Sequence, residues 1–203
     1  MLHVYIDKIS NYTVGLDVYP KGRLLEILSC KSEKVKTQKY ASWKLLENAL
    51  KSSLNLRIED CEFFKLDNGK WVASGVYFSI SHSDDFVCVA ISNSSVGVDI
   101  EKVKTIDDNL DKKILTETEL ETYKKLDKIE KNNFLLTAWT GKESVYKKLD
   151  SKTFNPSKIE LADYSVKSYN LSVDKSEFLL SVCSEKINVI YFQNNVKNLY
   201  IKN

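Results

Sequence analysis

This chain has little of what punctuates or staples a fold. Its 203 residues include only six glycines, two prolines, two histidines and one methionine. Nothing resembles a Gly/Ser hinge or a low-complexity linker, which excludes a flexible modular chain. Cys30, Cys61, Cys88 and Cys183 are scattered with no Cys-x-x-Cys pair, so neither a disulfide framework nor a cysteine zinc site is expected. Cys88, inside the apolar run Phe86-Val87-Cys88-Val89-Ala90-Ile91, reads as a small core residue. All four read as reduced thiols of a cytoplasmic protein. No apolar run approaches the ~20 residues needed to span a bilayer. Residues 1–7 alternate like a strand and lack the basic flank of a signal peptide, so no membrane association is expected. A net charge of +2 is too small to argue for a nucleic-acid partner. Of 30 cationic residues only Arg23 and Arg57 are arginine. A phosphate site here would therefore be built mostly from ammonium point charges rather than bidentate forks. There is no Gly-x-Ser-x-Gly elbow of the kind a serine hydrolase uses.

What is present describes an ordinary globular protein, 43% apolar and 29% charged, long enough for one large domain or two small ones sharing an interface. Alternation predicts strands over 2–6 and 12–19, with a turn at Pro20-Lys21-Gly22. A helix is predicted over 37–52. Strands follow over 58–66, 71–73, 77–81, 86–92 and 96–101, with a turn at Asp67-Asn68-Gly69. Helical patterns cover about 108–125 and 131–149, and strands return over 158–161, 164–169, 177–183 and 187–192. Helices and strands are grouped rather than alternating, which indicates the α+β class. The grouping occurs twice, suggesting two similar α+β halves in a pseudo-twofold arrangement, residues 1–104 and 105–203.

Chemistry concentrates in two segments. In Val96-Gly97-Val98-Asp99-Ile100-Glu101, strand geometry sends Asp99 and Glu101 to one face and Val96, Val98 and Ile100 to the other. Adjacent carboxylates repel unless a cation lies between them, and hard oxygen ligands suit Mg²⁺. In Trp139-Thr140-Gly141-Lys142-Glu143, the residues Trp139, Glu143 and Lys147 form one helical stripe. Glu143 would add a third carboxylate, with Lys142 and Lys147 placing positive charge beside it. The plain alternative is a core aromatic followed by a surface Glu–Lys pair. Gly141 costs a helix interior ~1 kcal/mol relative to Ala, which a close approach by substrate or another backbone would rationalise. Ser81, His82 and Ser83 are candidates to hydrogen-bond phosphate oxygens, whereas His3 is incidental. Together these features read as a site for a magnesium-bound phosphate ester.

Taken in order, Phe78-Ser79-Ile80-Ser81-His82-Ser83, Val96 to Glu101, and Trp139 to Lys147 resemble the 4′-phosphopantetheinyl transferases of the surfactin-synthetase-activating type. Asp67-Asn68-Gly69-Lys70 resembles that family's Gly-Lys turn. The resemblance implies coenzyme A in a cleft between two α+β halves, with Mg²⁺ required and Mn²⁺ as an alternative cation. It further implies transfer of the phosphopantetheine arm to a serine of an apo acyl or peptidyl carrier protein by a monomeric enzyme. Carried over, Asp99, Glu101 and Glu143 are the metal ligands. Lys70, Ser81, His82, Asp99 and Lys142 face coenzyme A, Lys147 serves the pyrophosphate and leaving group, and Glu119 or Glu143 is the base. There are departures. Ser79 stands where the family has Asn, and Asp150 where a Gly follows the lysine motif. The basic residue ahead of a Leu-Leu pair is replaced around Trp43-Lys44, which leaves Lys34 and Lys36 as candidates for the adenosine 3′-phosphate. Residues 106–126, with Ile114, Leu115, Leu120 and Tyr123 beside Lys112 and Lys113, are the candidate carrier-docking segment. The competing readings are a magnesium-dependent phosphohydrolase and a non-catalytic coenzyme A-binding module.

Overall fold

Two four-stranded sheets face each other, each carrying one long helix on its outer side. The computed structural model describes residues 1–173, 176–185, 187, 190–196 and 199–202, with the backbone alone at residue 108. The first part of the chain supplies β1 (Leu2–Lys8), α1 (Lys21–Leu28), α2 (Glu33–Leu54), β2 (Phe63–Lys65), β3 (Trp71–Ala73), β4 (Tyr77–Ser83), β5 (Phe86–Ser92) and β6 (Val96–Lys102). The remainder supplies α3 (Asp111–Ile114), α4 (Glu117–Tyr123), α5 (Lys128–Leu149), β7 (Val166–Val173), β8 (Ser176–Ser184), β9 (Ile190–Asn194) and β10 (Leu199–Lys202). The sheet orders are β4-β5-β1-β9 and β10-β7-β8-β6, with β2 and β3 forming a separate hairpin. Each large sheet thus takes three strands from one half of the chain and one from the other. β9 joins β1 in parallel, and β6 joins β8 antiparallel.

Side-chain alternation explains the layers. On β5, Val87, Val89 and Ile91 pack under α2 with Trp43, Leu46 and Leu50. Its Phe86, Cys88 and Ala90 point the other way, into the space between the sheets. Every β5 residue is therefore buried, which is why the strand reads as one apolar run. On β6, Val96, Val98 and Ile100 enter the same inter-sheet core, leaving Gly97, Asp99 and Glu101 on the face that meets α5. Both long helices are capped by their own sequence. Ser32 accepts from the Val35 N–H, and Asp127 forms a capping box with Glu130. Among the described residues no helix is long and apolar enough to cross a membrane.

The α+β class holds, and the expected elements depart from the structure in several places. The strand expected over 58–66 shrinks to Phe63–Lys65 behind a 3-10 turn at Ile58–Asp60, and the helix expected over about 108–125 is broken into α3 and α4. Residues 12–19 form no strand; Tyr12, Val14 and Val18 alternate because they rest on the α2 core without a ladder partner. Pro20 stands at the N-cap position of α1 rather than in an isolated turn, its carbonyl accepting the first helical N–H groups from Arg23 and Leu24 and its missing N–H lying outside the helix. The strand expected over 158–161 is replaced by 3-10 turns at Pro156–Lys158 and Leu161–Asp163. The strand expected over 187–192 falls partly on residues 188 and 189, which lie outside the described residues.

One glycine sets the distance between β6 and α5. A Cβ at Gly97 would stand 1.8 Å from the Ser144 carbonyl oxygen and 2.7 Å from the Lys148 nitrogen. Both neighbours are backbone, so neither can rotate away. Gly141, by contrast, faces the Leu161 side chain at 3.1 Å, so its close approach is to a side chain rather than to a substrate. Gly97→Ala should therefore destabilise the protein by about 3 kcal/mol, the upper end of typical overpacking costs, with Gly141→Ala costing less. Denaturant unfolding of the two variants checks the ranking.

Candidate active site

The β6–α5 contact places Asp99 opposite the carboxyl-terminal half of α5. Asp99 is buried, and its Oδ1 accepts from the Ser81 hydroxyl at 2.7 Å and from the Lys147 ammonium at 2.7 Å. Its Oδ2 is buried and has no hydrogen-bond partner among the described residues. Glu101 is half-buried and accepts from the Ser83 hydroxyl at 3.0 Å. Burial raises the pKa of Glu143; the Lys147 charge pulls it down, and the negative charges of Asp99 and Glu101 add to the rise. For Lys147 burial works downward, but the Asp99 carboxylate and its hydrogen bond win, holding the ammonium above its ordinary value. Among the described residues no three His, Cys, Asp or Glu side chains are gathered closely enough to hold a metal ion. The donor chemistry nevertheless fits a hard divalent cation: Glu143 feels the charges of Asp99 and Glu101, and the buried Asp99 Oδ2 lacks a partner among the described residues.

Beside these acids opens a cleft of about 370 Å³. Its cations are Arg23, Lys39, Lys70 and Lys147, and Trp43, Trp71 and Phe78 supply aromatic wall. Arg23 is buried, lies 4.8 Å over the Trp43 ring, and has an Nε with no partner among the described residues. Glu26 gathers this end: it accepts from Arg23 at 3.1 Å, Lys39 at 3.0 Å, Lys65 at 3.3 Å and the Trp71 indole at 2.8 Å. Burial pushes the Glu26 carboxyl up, but the Trp71 hydrogen bond and the surrounding cations outweigh it and bring the pKa to about 2. At the other end Lys70 donates to the Lys147 carbonyl at 2.6 Å and pairs with Asp150. Asn68 ties the same turn to the end of α5 through the Ser151 carbonyl at 3.1 Å. His82 lines the cleft, and desolvation followed by the Lys147 charge lowers its pKa, so the ring is neutral at pH 7.

Several sequence candidates stand elsewhere. Lys34 and Lys36 are not among the residues lining the cleft; Lys34 is exposed and Lys36 pairs with Glu33 on its own helix. Arg23 and Lys39 line the cleft instead, both paired with Glu26. Arg23 was the signal available: one of two arginines, three residues before an acid at helical spacing. The Ser81 hydroxyl donates its one proton to Asp99 while accepting from Ile100 and Lys147, so it has none to offer a phosphate. Lys142 is fully buried and donates to Glu119 at 2.5 Å, the Ile114 carbonyl at 2.8 Å and the Pro156 carbonyl at 3.0 Å. Those bonds use all three of its donors. Glu119 in turn caps α4 through the Thr116 N–H. Of the proposed docking residues, Ile114, Leu115 and Tyr123 lie in the core that packs on α5, while Lys112 and Lys113 are exposed.

The Lys142–Glu119 pair therefore acts as a buried tie between α4 and α5. Removing one member leaves the other charge buried and uncompensated, typically costing about 3–5 kcal/mol. Glu119→Gln should lose stability of that order in urea unfolding, and pairing it with Lys142→Met should cost less than the sum of the single changes.

The family model of the 4′-phosphopantetheinyl transferase superfamily matches residues 95–198, from the start of β6 to near the end of the chain. The chain is 33% identical over 113 residues to the 4′-phosphopantetheinyl transferase gsp of Aneurinibacillus migulanus, covering 55% of this chain and 48% of that protein. It is 35% identical over 71 residues to the 4′-phosphopantetheinyl transferase Sfp of Bacillus subtilis strain 168, covering 35% of this chain and 32% of that protein. The chain thus matches half or less of the length of these curated relatives. Asp99, Glu101, Glu143 and Lys147 all fall within the family match, which spans half of the chain, and the chain belongs to the 4′-phosphopantetheinyl transferase superfamily.

Proposed function

We propose that this protein transfers the 4′-phosphopantetheine arm of coenzyme A to a serine of an apo acyl or peptidyl carrier protein, releasing 3′,5′-ADP. The observation that carries this reading is the meeting of an acidic pocket, with its unpartnered Asp99 Oδ2, and a cationic, aromatic cleft at Lys147. Asp99, Glu101 and Glu143 would hold a Mg²⁺ ion, which when bound supplies positive charge that neutralises the phosphates. Lys147, kept protonated by Asp99, offers a proton and charge to the oxygen on which 3′,5′-ADP departs. Arg23, Lys39 and Lys70 are the cations available to the remaining phosphates, and the neutral His82 offers one ring N–H. Of the two acids considered as base, Glu143 shares the site with Asp99 and Lys147, whereas Glu119 is committed to Lys142. The reading includes a monomeric enzyme in the cytoplasm, and the four free thiols support the reducing compartment.

Incubation with coenzyme A, Mg²⁺ and an apo carrier, read by intact mass, should show the carrier gaining the phosphopantetheine arm as 3′,5′-ADP appears. Asp99→Asn should transfer at less than about one hundredth of the wild-type rate, since losing one preorganised electrostatic contact costs ~10²–10³ in kcat. Free phosphopantetheine formed without a carrier would instead identify a phosphohydrolase. Tight binding of coenzyme A with neither product would identify a binding module.

The basic end of the cleft gives a separate expectation. Coenzyme A affinity should fall as salt rises, because ammonium and guanidinium groups at the mouth act through screened charge. Arg23→Gln should weaken binding about tenfold or more, given ~1.5–3 kcal/mol for a hydrogen bond to a charged group. Lys36→Gln should leave it unchanged. Calorimetric titration with coenzyme A in the absence of metal distinguishes the two.

A further inference from the structure

β4 and β6 lie side by side as edges of different sheets, and hydroxyls rather than a backbone ladder join them. Ser79 accepts the Val98 N–H at 3.0 Å, Ser81 the Ile100 N–H at 3.4 Å, and Ser83 the Lys102 N–H at 2.9 Å. Every second residue of β4 thus meets every second residue of β6, with the two strands running parallel. At two of these steps the hydroxyl does something more. Ser81 donates to Asp99 Oδ1 at 2.7 Å and Ser83 to Glu101 Oε2 at 3.0 Å. In each case the serine accepts from one β6 residue and donates to the acid just before it. The step at Ser79 lacks this second bond because the preceding residue is Gly97, which has no side chain.

We propose that Ser81 and Ser83 are positioning residues for cation binding, each hydroxyl fixing one oxygen of the facing acid and leaving the other oxygen for a divalent cation. Asp99 meets this description, since its Oδ1 is engaged twice while its buried Oδ2 has no partner among the described residues. A hydroxyl has one proton. With that proton donated to the acid, each carboxylate presents a fixed lone pair instead of sampling rotamers. Two acids two residues apart on a strand are thereby held against their mutual repulsion before any cation arrives. Groups that orient metal ligands in this way typically change metal affinity 10–100-fold when removed. The inference rests on the reading of Asp99, Glu101 and Glu143 as cation ligands.

Ser83 gives the cleaner test, because Ser81 also touches Lys147. Mn²⁺ binding to the whole chain, followed by the loss of the free-ion paramagnetic resonance signal, should weaken 10–100-fold in Ser83→Ala. Because the Ser83 proton goes to Glu101 and none is left for a phosphate, coenzyme A binding measured without metal should stay within about twofold of wild type, and Ser83→Thr, which retains the hydroxyl, should restore Mn²⁺ affinity. A purely structural serine would not separate the two ligands in this way. Should Ser83→Ala fail to fold, Ser83→Cys, with its weak S–H donor, should show an intermediate loss of Mn²⁺ affinity. Wild-type Mn²⁺ affinity in folded Ser83→Ala or Ser83→Cys, alongside lost affinity in Glu101→Gln, overturns the positioning role and leaves the cation reading standing. Failure of the wild-type chain itself to bind Mn²⁺ overturns both.

Discussion

A strand edge must find acceptors for its outward N–H groups, and β6 finds them in three serine hydroxyls on β4 rather than in a neighbouring backbone. Much of the site follows from that substitution. Backbone carbonyls could have satisfied the same N–H groups, but they cannot donate. A hydroxyl does both, so the atom that closes the edge also grips the acid beside it. The seam therefore couples sheet packing to the orientation of Asp99 and Glu101. Its register is strongly specified, because a slip by one residue would send Val98 and Ile100 toward α5 and turn the acids into the inter-sheet core.

On the face of β6 that carries the acids, the distance to α5 matters as much as the hydrogen bonds from β4. With Gly97 bare, the α5 backbone comes close enough for Lys147 to bond the first acid and for Glu143 to feel both. Lys142, five residues earlier on the same helix, points instead into a dry pocket that it shares with Glu119 and two carbonyls. One helix thus carries a structural lysine on one side and a lysine facing the cleft on the other. Burial acts on both ammonium groups in the same direction. For Lys147 the neighbouring carboxylate outweighs it, and for Lys142 it does not.

The acids were legible in sequence because two independent periodicities, two along β6 and 3.6 along α5, converge on them. The difference between Lys142 and Lys147 was not, since each lies near an acid in sequence and only packing decides which faces solvent. The basic end of the cleft was hidden for another reason. Residues 12–19 alternate like a strand because they lie on the α2 core, and the Pro-Lys-Gly start of α1 has the composition of a turn. Missing α1 meant missing Arg23 and Glu26 as a helical pair, and with them the role of Lys39 across the gap. Gly97 gave no sign of its role either, since a strand glycine shows nothing in sequence of the helix that will lie against it.

Each cation of the cleft already holds an internal carboxylate. Arg23 and Lys39 share Glu26, Lys70 has Asp150, and Lys147 has Asp99. Without those partners, like charges a few ångströms apart would repel by about 4 kcal/mol per pair at 4 Å near a protein surface. The protein can therefore fold with its basic wall assembled before any phosphate arrives. Anion binding then becomes a competition between a phosphate and carboxylates already in place, and its net strength is the difference between two sets of ion pairs. Glu26, with its pKa near 2, stays ionised throughout the neutral range and opposes every incoming phosphate at that end. Asp99 differs because it has a second oxygen without a partner among the described residues. Holding Lys147 with one oxygen while keeping the other open lets the same residue compensate a cation and remain available to another ligand.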